Sequence, residues 1–191
     1  MARIAGPATC HADYGGGLRE GRQSSMSRAV SKVLLWLFVL NLGIAFGAGL
    51  YESQIVFPRW LTGSPTTSFH WDAEAARADD TGLRFWVYVT TGPLTLITLA
   101  NLIAALLHRG GARSWWVAAS VAALAERAAT FSYFIPTMMT LMANQMVPSE
   151  AVQMARQWQN LNSLRHAAVL VAWLLALKAF AAFQREGRVL I

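Results

Sequence analysis

The chain has 191 residues, of which 55% are hydrophobic and 14% are charged, and its mean hydropathy is positive. This composition is too apolar for an ordinary soluble domain of this length, and it predicts one integral membrane domain. The formal charge of +6 does not indicate a nucleic-acid partner, because the basic residues lie at the ends of apolar runs, where they set membrane topology. The single cysteine, Cys10, excludes an intramolecular disulfide and any multi-cysteine metal site.

Residues 1–28 are predicted to form a disordered leader, because they are rich in glycine and arginine and have almost no apolar periodicity. Met26 stands just before the first apolar run and is an alternative start of the protein. A four-helix membrane domain is predicted over residues 29–185. Its first span, 33–52, is longer than the apolar core of a signal peptide and is therefore expected to remain in the protein.

The first span carries residues typical of helix packing, and its end carries turn and interface residues. Gly43 and Gly47 would let a neighbouring helix approach closely, and Asn41 is expected to form an interhelical hydrogen bond. After the span, Pro58 is expected to stop any helix, and Trp60 suits a membrane interface.

The longest loop, 61–84, is polar and separates the first span from the second, 85–107. Within this loop the segment 73–78 is predicted to form a short surface helix on the bilayer, with Trp71 as its anchor. Pro93, near the start of the second span, permits a kink.

The third span, 115–135, carries Glu126 and Arg127 about twelve residues from its start. At ~1.5 Å per residue they lie roughly at mid-bilayer, where each charge costs on the order of 3 kcal/mol. Adjacent residues on a helix point ~100° apart, so these two are not expected to neutralise each other, and at least one of them is expected to pair with another helix. Pro136 is expected to kink or end this helix near its far side.

Helical spacing places four polar residues on one face of the third span. They are Glu126, Thr130, Tyr133 and Thr137. The fourth span, 161–183, follows an amphipathic segment, and its entrance carries an unusual cluster of amides, a cation and an imidazole.

The distribution of lysine and arginine predicts that both termini are cytoplasmic. The expected architecture is an all-α, multi-pass four-helix bundle in a lipid bilayer, which in a bacterium would be the inner (cytoplasmic) membrane. In this topology polar residues from all four helices converge in the outer half of the bundle. The candidate catalytic residues are His166, Glu52, Arg165 and Tyr133. The candidate substrate-binding residues are Asn162, Trp158, Thr137, Glu126 and Arg127.

These groups can perform acid–base chemistry and stabilise anions, and no cofactor or metal is expected. A pair of haems would call for several histidines within the spans, where only His166 lies, and a metal site would call for more imidazoles or carboxylates. Structural roles remain open alternatives. Arg165 could anchor lipid headgroups, His166 could be a packed side chain, Glu52 could flank its helix, and Glu126 with Arg127 could form a structural ion pair.

Three motifs resemble a known family of small four-helix membrane proteins, the anthrone oxygenase-like family, whose bacterial members were long described as a domain of unknown function. The first is Gly-Ala-Gly-Leu-Tyr-Glu at 47–52 with Phe-Pro-Arg-Trp at 57–60. The second is Phe-Ile-Pro-Thr-Met at 134–138 with Leu141, and the third is Trp-Gln-Asn-Leu-Asn-Ser-Leu-Arg at 158–165. The resemblance covers about residues 30–185 and implies cofactor-independent oxidation of an anthrone to an anthraquinone by molecular oxygen.

The sequence therefore leaves two main functional hypotheses and a weaker third. In the first, a hydrophobic aromatic ketone enters a bilayer-level pocket, His166 or Glu52 removes a proton, and Arg165 and Tyr133 stabilise the oxyanion. In the second, the chain is a non-catalytic four-span protein that binds lipid or a partner protein, with a homo-oligomer as one form of partnership. A small transporter ranks third, because the sequence has no duplicated half.

Overall fold

The computed structural model describes residues 15–64 and 66–188, and the side chains among them from residue 28 to residue 187. The described part of the chain is mostly helical and contains one small two-stranded sheet. Cys10 and the first half of the expected leader lie outside the described residues.

The first helical rod consists of α1 (Gly15–Tyr51), a π-helical segment π1 (Glu52–Val56) and the short helix α2 (Phe57–Trp60). Because α1 begins at Gly15, residues 15–28 are helical where the sequence analysis expected a disordered leader. Several residues of this stretch, such as leucine, arginine, glutamate and glutamine, favour helix, which accounts for the extension.

The prediction that Pro58 stops the helix was wrong. Pro58 lies in the first turn of α2, where its missing N–H breaks no necessary hydrogen bond. The π1 segment immediately before it changes the hydrogen-bond pattern, and the Phe57 N–H bonds to the carbonyl of Glu52, five residues back. The helix therefore continues to Trp60.

A β-hairpin and a short helix follow the first rod. Strands β1 (Leu61–Ser64) and β2 (Thr67–Trp71) pair antiparallel, with Leu61 opposite Trp71, and the sequence analysis missed both strands. The hairpin needs glycine at Gly63, whose φ of 114° is disfavoured for other residues. Helix α3 (Ala73–Asp79) confirms the short helix expected at 73–78.

The second rod begins with a long π-helical segment, π2 (Gly82–Thr91), and continues as α4 (Pro93–Leu107). Pro93 stands at the junction, in the first turn of α4, where its missing N–H is tolerated. Gly92 donates its N–H to the carbonyl of Val87, which is the i→i+5 bond that closes π2.

The third and fourth rods are longer than the spans predicted from hydropathy. The third runs through α5 (Arg113–Ala129), π3 (Thr130–Phe134) and α6 (Ile135–Ala143). It does not end at Pro136, because this proline again occupies the first turn after a π-helical segment. The fourth rod is the continuous helix α7 (Pro148–Arg188), which includes the amphipathic segment before the predicted span.

Three helices are long and apolar enough to cross a membrane, within the part of the chain that the structure describes. They are Arg28–Trp60, Gly82–Leu107 and Pro148–Gly187. The rod formed by α5, π3 and α6 does not meet the same criterion and carries Glu126 and Arg127 near its middle. It packs on the apolar rods through α5, which contacts both α4 and α7, while α1 also contacts both of these helices.

Buried apolar residues form three clusters along the rods. The cluster at the hairpin end includes Phe57, Trp60, Trp71 and Trp158. The middle cluster includes Phe38, Leu42, Leu94 and Val169, and the cluster at the opposite end includes Leu35, Trp116 and Phe183. At the hairpin end the rings of Phe57 and Trp158 stack with centroids 5.2 Å apart, an arrangement worth ~0.5–1.5 kcal/mol beyond the buried area.

Two tryptophans expected at a membrane surface are instead buried in this cluster. Trp60 donates its indole N–H to Asp79 Oδ2 at 2.8 Å, and Trp71 donates to the carbonyl of Leu141 at 3.1 Å. The Leu141 carbonyl lies in the last turn of α6, where carbonyls lack helical partners. The hairpin is thus fastened to the end of the third rod and does not lie free on a surface.

Candidate functional site

A cavity of about 340 Å³ lies between the hairpin-end cluster and the middle cluster. This volume is within the range of small-molecule sites, which is roughly 300–1,000 Å³. Apolar and aromatic side chains form most of the wall. The polar and charged residues that line it are Glu52, Asp80, Thr81, Thr90, Thr91, Glu126, Arg127, Thr130, Arg165 and His166.

Glu52 is the first residue of π1 and is only 7% exposed. Its Oε1 atom accepts two hydrogen bonds, from Thr81 Oγ1 at 2.7 Å and from Trp86 Nε1 at 2.8 Å. The two donors are five residues apart: Thr81 immediately precedes π2, and Trp86 lies within it. Among the described residues no hydrogen-bond donor contacts Oε2, the other carboxylate oxygen of this cavity-lining residue.

Glu126 and Arg127 form an ion pair with each other. Arg127 reaches Glu126 Oε2 with Nε at 2.6 Å and with Nη2 at 2.5 Å, and Thr130 Oγ1 donates to Oε1 at 2.8 Å. The expectation that adjacent residues could not neutralise each other was therefore wrong. The two side chains leave the helix in different directions, but the side chain of Arg127 is long enough to bend back and reach the carboxylate of Glu126. Arg127 Nη1 is buried and has no acceptor in the described part of the chain.

Arg165 joins this pair from the fourth rod. Its Nε lies 4.0 Å from Glu126 Oε1, and its guanidinium carbon lies 4.7 Å from the centre of the Phe134 ring. The expected contact of the mid-helix charges with another helix is therefore present. A guanidinium over an aromatic face is held in place without losing its hydrogen-bonding edge, so Arg165 can still bind an anionic oxygen in the cavity.

His166 and Asn162 meet the first rod at Ser53. Asn162 Nδ2 donates to Ser53 Oγ at 3.2 Å, and Ser53 Oγ makes a longer contact of 3.5 Å with His166 Nδ1. His166 Nε2 is buried and has no partner in the described residues, because it packs against Gly49 of α1. The imidazole therefore forms part of the cavity wall but directs its free nitrogen at a helix backbone.

Replacing Gly49 with alanine is expected to destabilise the protein, because the added methyl group would overlap His166 Nε2. Overpacking of this kind costs ~1–3 kcal/mol. The matched control is Gly47→Ala on the same helix, where an added methyl group meets nothing within 4 Å. Thermal unfolding in detergent should show a lower midpoint for Gly49→Ala only; equal midpoints for the two variants would contradict the close approach.

The structure brings six of the nine predicted site residues to one cavity and leaves three outside it. The six are Glu52, Glu126, Arg127, Trp158, Arg165 and His166. Asn162 is buried behind the wall in contact with Ser53, and the half-buried Tyr133 packs edge-on against Phe134. Thr137 is also absent from the wall.

The π3 segment is the physical reason for two of these errors. An i→i+5 turn inserts about one residue into the helical repeat, so a face that begins with Glu126 and Thr130 continues through Phe134 and Met138. The sequence analysis assumed a regular α-helix, which would have continued the face through Tyr133 and Thr137. The assignment of Tyr133 as an oxyanion-stabilising residue is therefore corrected.

Sequence reasoning also missed residues that complete the site. Thr81 and Trp86 fix Glu52, Ser53 connects the first and fourth rods, and the methionines 138, 139 and 142 form one side of the wall. The position of Glu52 at the end of an apolar run predicts that hydrogen-bond donors lie near its carboxylate. Nothing in the sequence identified which donors they would be.

The arrangement combines a largely apolar chamber with charges of both signs. The carboxylates of Glu52 and Glu126 lie in the same cavity as the guanidiniums of Arg127 and Arg165, and the half-buried Asp80 adds a third carboxylate to the wall. Such a chamber can admit a neutral apolar molecule, accept a proton from it at a carboxylate and hold the resulting anion beside a guanidinium. In the described residues, no three His, Cys, Asp or Glu side chains are grouped as a metal site would require.

The structure and composition together identify a mostly helical chain with three helices suited to crossing a membrane. No family model, curated protein or solved structure matches this chain.

Proposed function

We propose that the chain is a multi-pass four-helix transmembrane protein that oxidises a hydrophobic aromatic ketone, such as an anthrone, with molecular oxygen. The observation that carries this proposal is the cavity itself. Glu52 and Arg165 line the same largely apolar wall, and among the described residues one carboxylate oxygen of Glu52 has no hydrogen-bond donor. The resemblance of the three motifs to the anthrone oxygenase-like family supports the same reaction.

The proposed topology places both termini in the cytoplasm and the cavity in the outer half of the bilayer. The three apolar helices and the rod that packs between α4 and α7 supply four crossings. Basic residues concentrate at the end opposite the hairpin, where Lys32, Arg109, Arg113 and Arg185 lie, and this distribution favours the cytoplasmic side for that end. In a bacterium the membrane would be the inner membrane.

The chemistry requires only a base, an anion-stabilising group and oxygen. Glu52 Oε2 removes a proton from the acidic CH₂ carbon of the anthrone, and Arg165 stabilises the negative charge that moves to the ketone oxygen. Oxygen then adds to the carbon, and the returned proton gives a hydroperoxide. Loss of water, with the second C–H proton passing through Glu52, forms the new carbonyl, so that anthrone and O₂ give anthraquinone and H₂O.

The geometry selects Glu52 over His166 as the base. Glu52 lines the cavity and has one carboxylate oxygen without a donor among the described residues, whereas Nε2 of His166 packs on Gly49. The second hypothesis, a non-catalytic protein that binds lipid or a partner, draws support from the complete pairing of Glu126 with Arg127 and Thr130. A buried carboxylate whose two oxygens are both paired, as in Glu126, also occurs in ion-pair networks that have only a structural role.

The test is oxygen uptake together with anthraquinone absorbance, using the purified protein in detergent and a simple anthrone. We expect Arg165→Gln to lower the rate by about 10²-fold, the usual scale for removing one oxyanion-stabilising group. The matched control is Arg156→Gln. Arg156 lies on the same helix and also stacks on a phenylalanine, with its guanidinium carbon 4.8 Å from the centre of the Phe69 ring, but it is exposed and outside the cavity.

Turnover by the native protein that heat-denatured protein lacks, and that only Arg165→Gln loses, would support the oxygenase proposal. A rate equal to that of the denatured protein would remove anthrones as substrates. In that outcome the cavity would be assigned to non-catalytic binding.

A further inference from the structure

The cavity has a mouth, and its position follows from the residues that both line the cavity and remain exposed. Leu83 is 63% exposed, Val87 is 40% exposed and Met139 is 67% exposed. By contrast, Glu52, Glu126 and Arg127 on the polar wall are all buried. The mouth therefore lies between π2 and α6. These three charged side chains lie at the closed end, and the half-buried Asp80, just before π2, also lines the cavity.

The two sides of the mouth are held by different neighbours. The π2 segment packs on α1 and α4, whereas α6 packs on α3, α7 and π3. Because π2 and α6 each pack on other elements, an opening between them does not require the loss of those packing contacts. The mouth is therefore a feature of the helix arrangement.

The mouth lies at the level of the outer membrane interface in the proposed topology. Val87 is twenty residues from Leu107, the inner end of the second rod, and at ~1.5 Å per residue this is about 30 Å, the thickness of the hydrocarbon core. Both helices that border the mouth present apolar side chains outward, including Leu83 and Met139. The opening therefore faces lipid at the depth where a molecule with one polar end resides.

The side chains at the mouth suit the passage of an apolar molecule. Met138, Met139 and Met142 recur along one face of α6 and line the cavity. Methionine is unbranched and flexible, so it adapts to ligands of different shape without a fixed fit. No charged side chain is needed at this edge for a ligand that arrives from the bilayer.

We propose that the ligand enters sideways from the outer leaflet, through the mouth between π2 and α6, and not from the aqueous phase. This inference rests on the proposed function for the identity of the ligand, but the route itself can be tested without any turnover. It assigns the substrate class as a membrane-dissolved molecule with an apolar body, whose polar end moves inward towards Arg165.

The test uses a cysteine inside the cavity, Thr90→Cys, in a background in which Cys10 is replaced by serine. Thr90 is buried and lines the cavity. The protein is placed in phosphatidylcholine nanodiscs, which leave both faces open to water. The cysteine is then treated with N-(1-pyrenyl)maleimide, which dissolves in lipid, or with 2-sulfonatoethyl methanethiosulfonate, which is charged and stays in water.

We expect the lipid-soluble reagent to label Thr90→Cys and the charged reagent to label it poorly. Adding Val87→Trp should slow the lipid-soluble labelling about tenfold, because the tryptophan places a large ring across the mouth. The matched control is Leu96→Trp, on the same rod, 69% exposed and outside the cavity. Leu96→Cys serves as a cysteine exposed directly to lipid.

Labelling by the charged reagent at an equal or greater rate, unaffected by Val87→Trp, would overturn the lateral route and indicate an aqueous entrance. Labelling of Leu96→Cys but not of Thr90→Cys by the lipid-soluble reagent would also overturn it, because the cavity would then be closed to the bilayer. Failure of anthrone oxidation alone leaves these labelling results intact and bears only on the proposed reaction.

Discussion

Replacing Glu52 with glutamine is expected to abolish measurable anthrone oxidation while the protein remains folded. Glutamine has nearly the same shape, and its amide oxygen can still accept the hydrogen bonds from Thr81 and Trp86. Its other atom, a nitrogen, cannot accept a proton from carbon. Loss of a positioned general base lowers rates by ~10²–10⁴-fold, and oxygen uptake with anthrone measures the loss directly.

The control for this substitution is Glu74→Gln, an exposed carboxylate in the first turn of α3. It removes the same charge from the same end of the protein but leaves the cavity unchanged, so its rate should equal that of the native protein. Thermal unfolding of both variants should show that each is folded at the assay temperature. If folded Glu52→Gln retained the native rate, Glu52 would not be the base, and the assigned proton transfer would be wrong.

The membrane helices could be predicted from the sequence because their signal is local. A long apolar run without charge indicates a spanning helix regardless of what surrounds it, and the helices ending at Trp60, Leu107 and Gly187 are long and apolar enough to cross a membrane. The polar residues at the entrance of the predicted fourth span indicated the location of the candidate site. Glu52, Arg165 and His166 do meet in one cavity.

The internal register of the helices could not be predicted in the same way. Each of π1, π2 and π3 depends on which backbone carbonyl an N–H selects, and this choice is set by packing with other rods. All three segments contribute residues to the cavity wall, which fits the frequent occurrence of π-helical turns at functional sites. Regular α-helical spacing, without these segments, would have placed Tyr133 and Thr137 in the site.

Tryptophans were also ambiguous from sequence alone. An indole suits a membrane interface and a packed core for the same reason, a large apolar surface with one N–H donor. Trp60 and Trp71 are buried because Asp79 and the Leu141 carbonyl are present to accept their hydrogen bonds. Those acceptors become neighbours only after the hairpin has folded onto α3 and α6.

Replacing Glu126 with glutamine is expected to cause the largest loss of stability among these variants. Glu126 is 4% exposed and holds Arg127 through two contacts, with Arg165 4.0 Å away. Without its charge, the closed end of the cavity carries an excess positive charge away from water. Breaking one side of a buried ion pair costs ~3–5 kcal/mol. The unfolding midpoint in detergent should fall sharply, whereas Glu150→Gln, an exposed residue in the first turn of α7, should leave it unchanged.

The double variant Glu126→Gln, Arg127→Gln shows whether charge balance is the cause. It removes one charge of each sign, so the net charge of the residues that line the cavity is the same as in the native protein. If Glu126 acts mainly by compensating Arg127, the double variant should be more stable than the single variant, with a coupling within the 0.5–3 kcal/mol seen for contacting residues. A single variant that unfolds at the native midpoint but has lost turnover would contradict this account and would place Glu126 among the groups that take part in the reaction. Stability and turnover are measured on the same preparations. A structural role of Glu126 predicts a lower unfolding midpoint in the single variant, whereas a role in the reaction predicts lost turnover at the native midpoint.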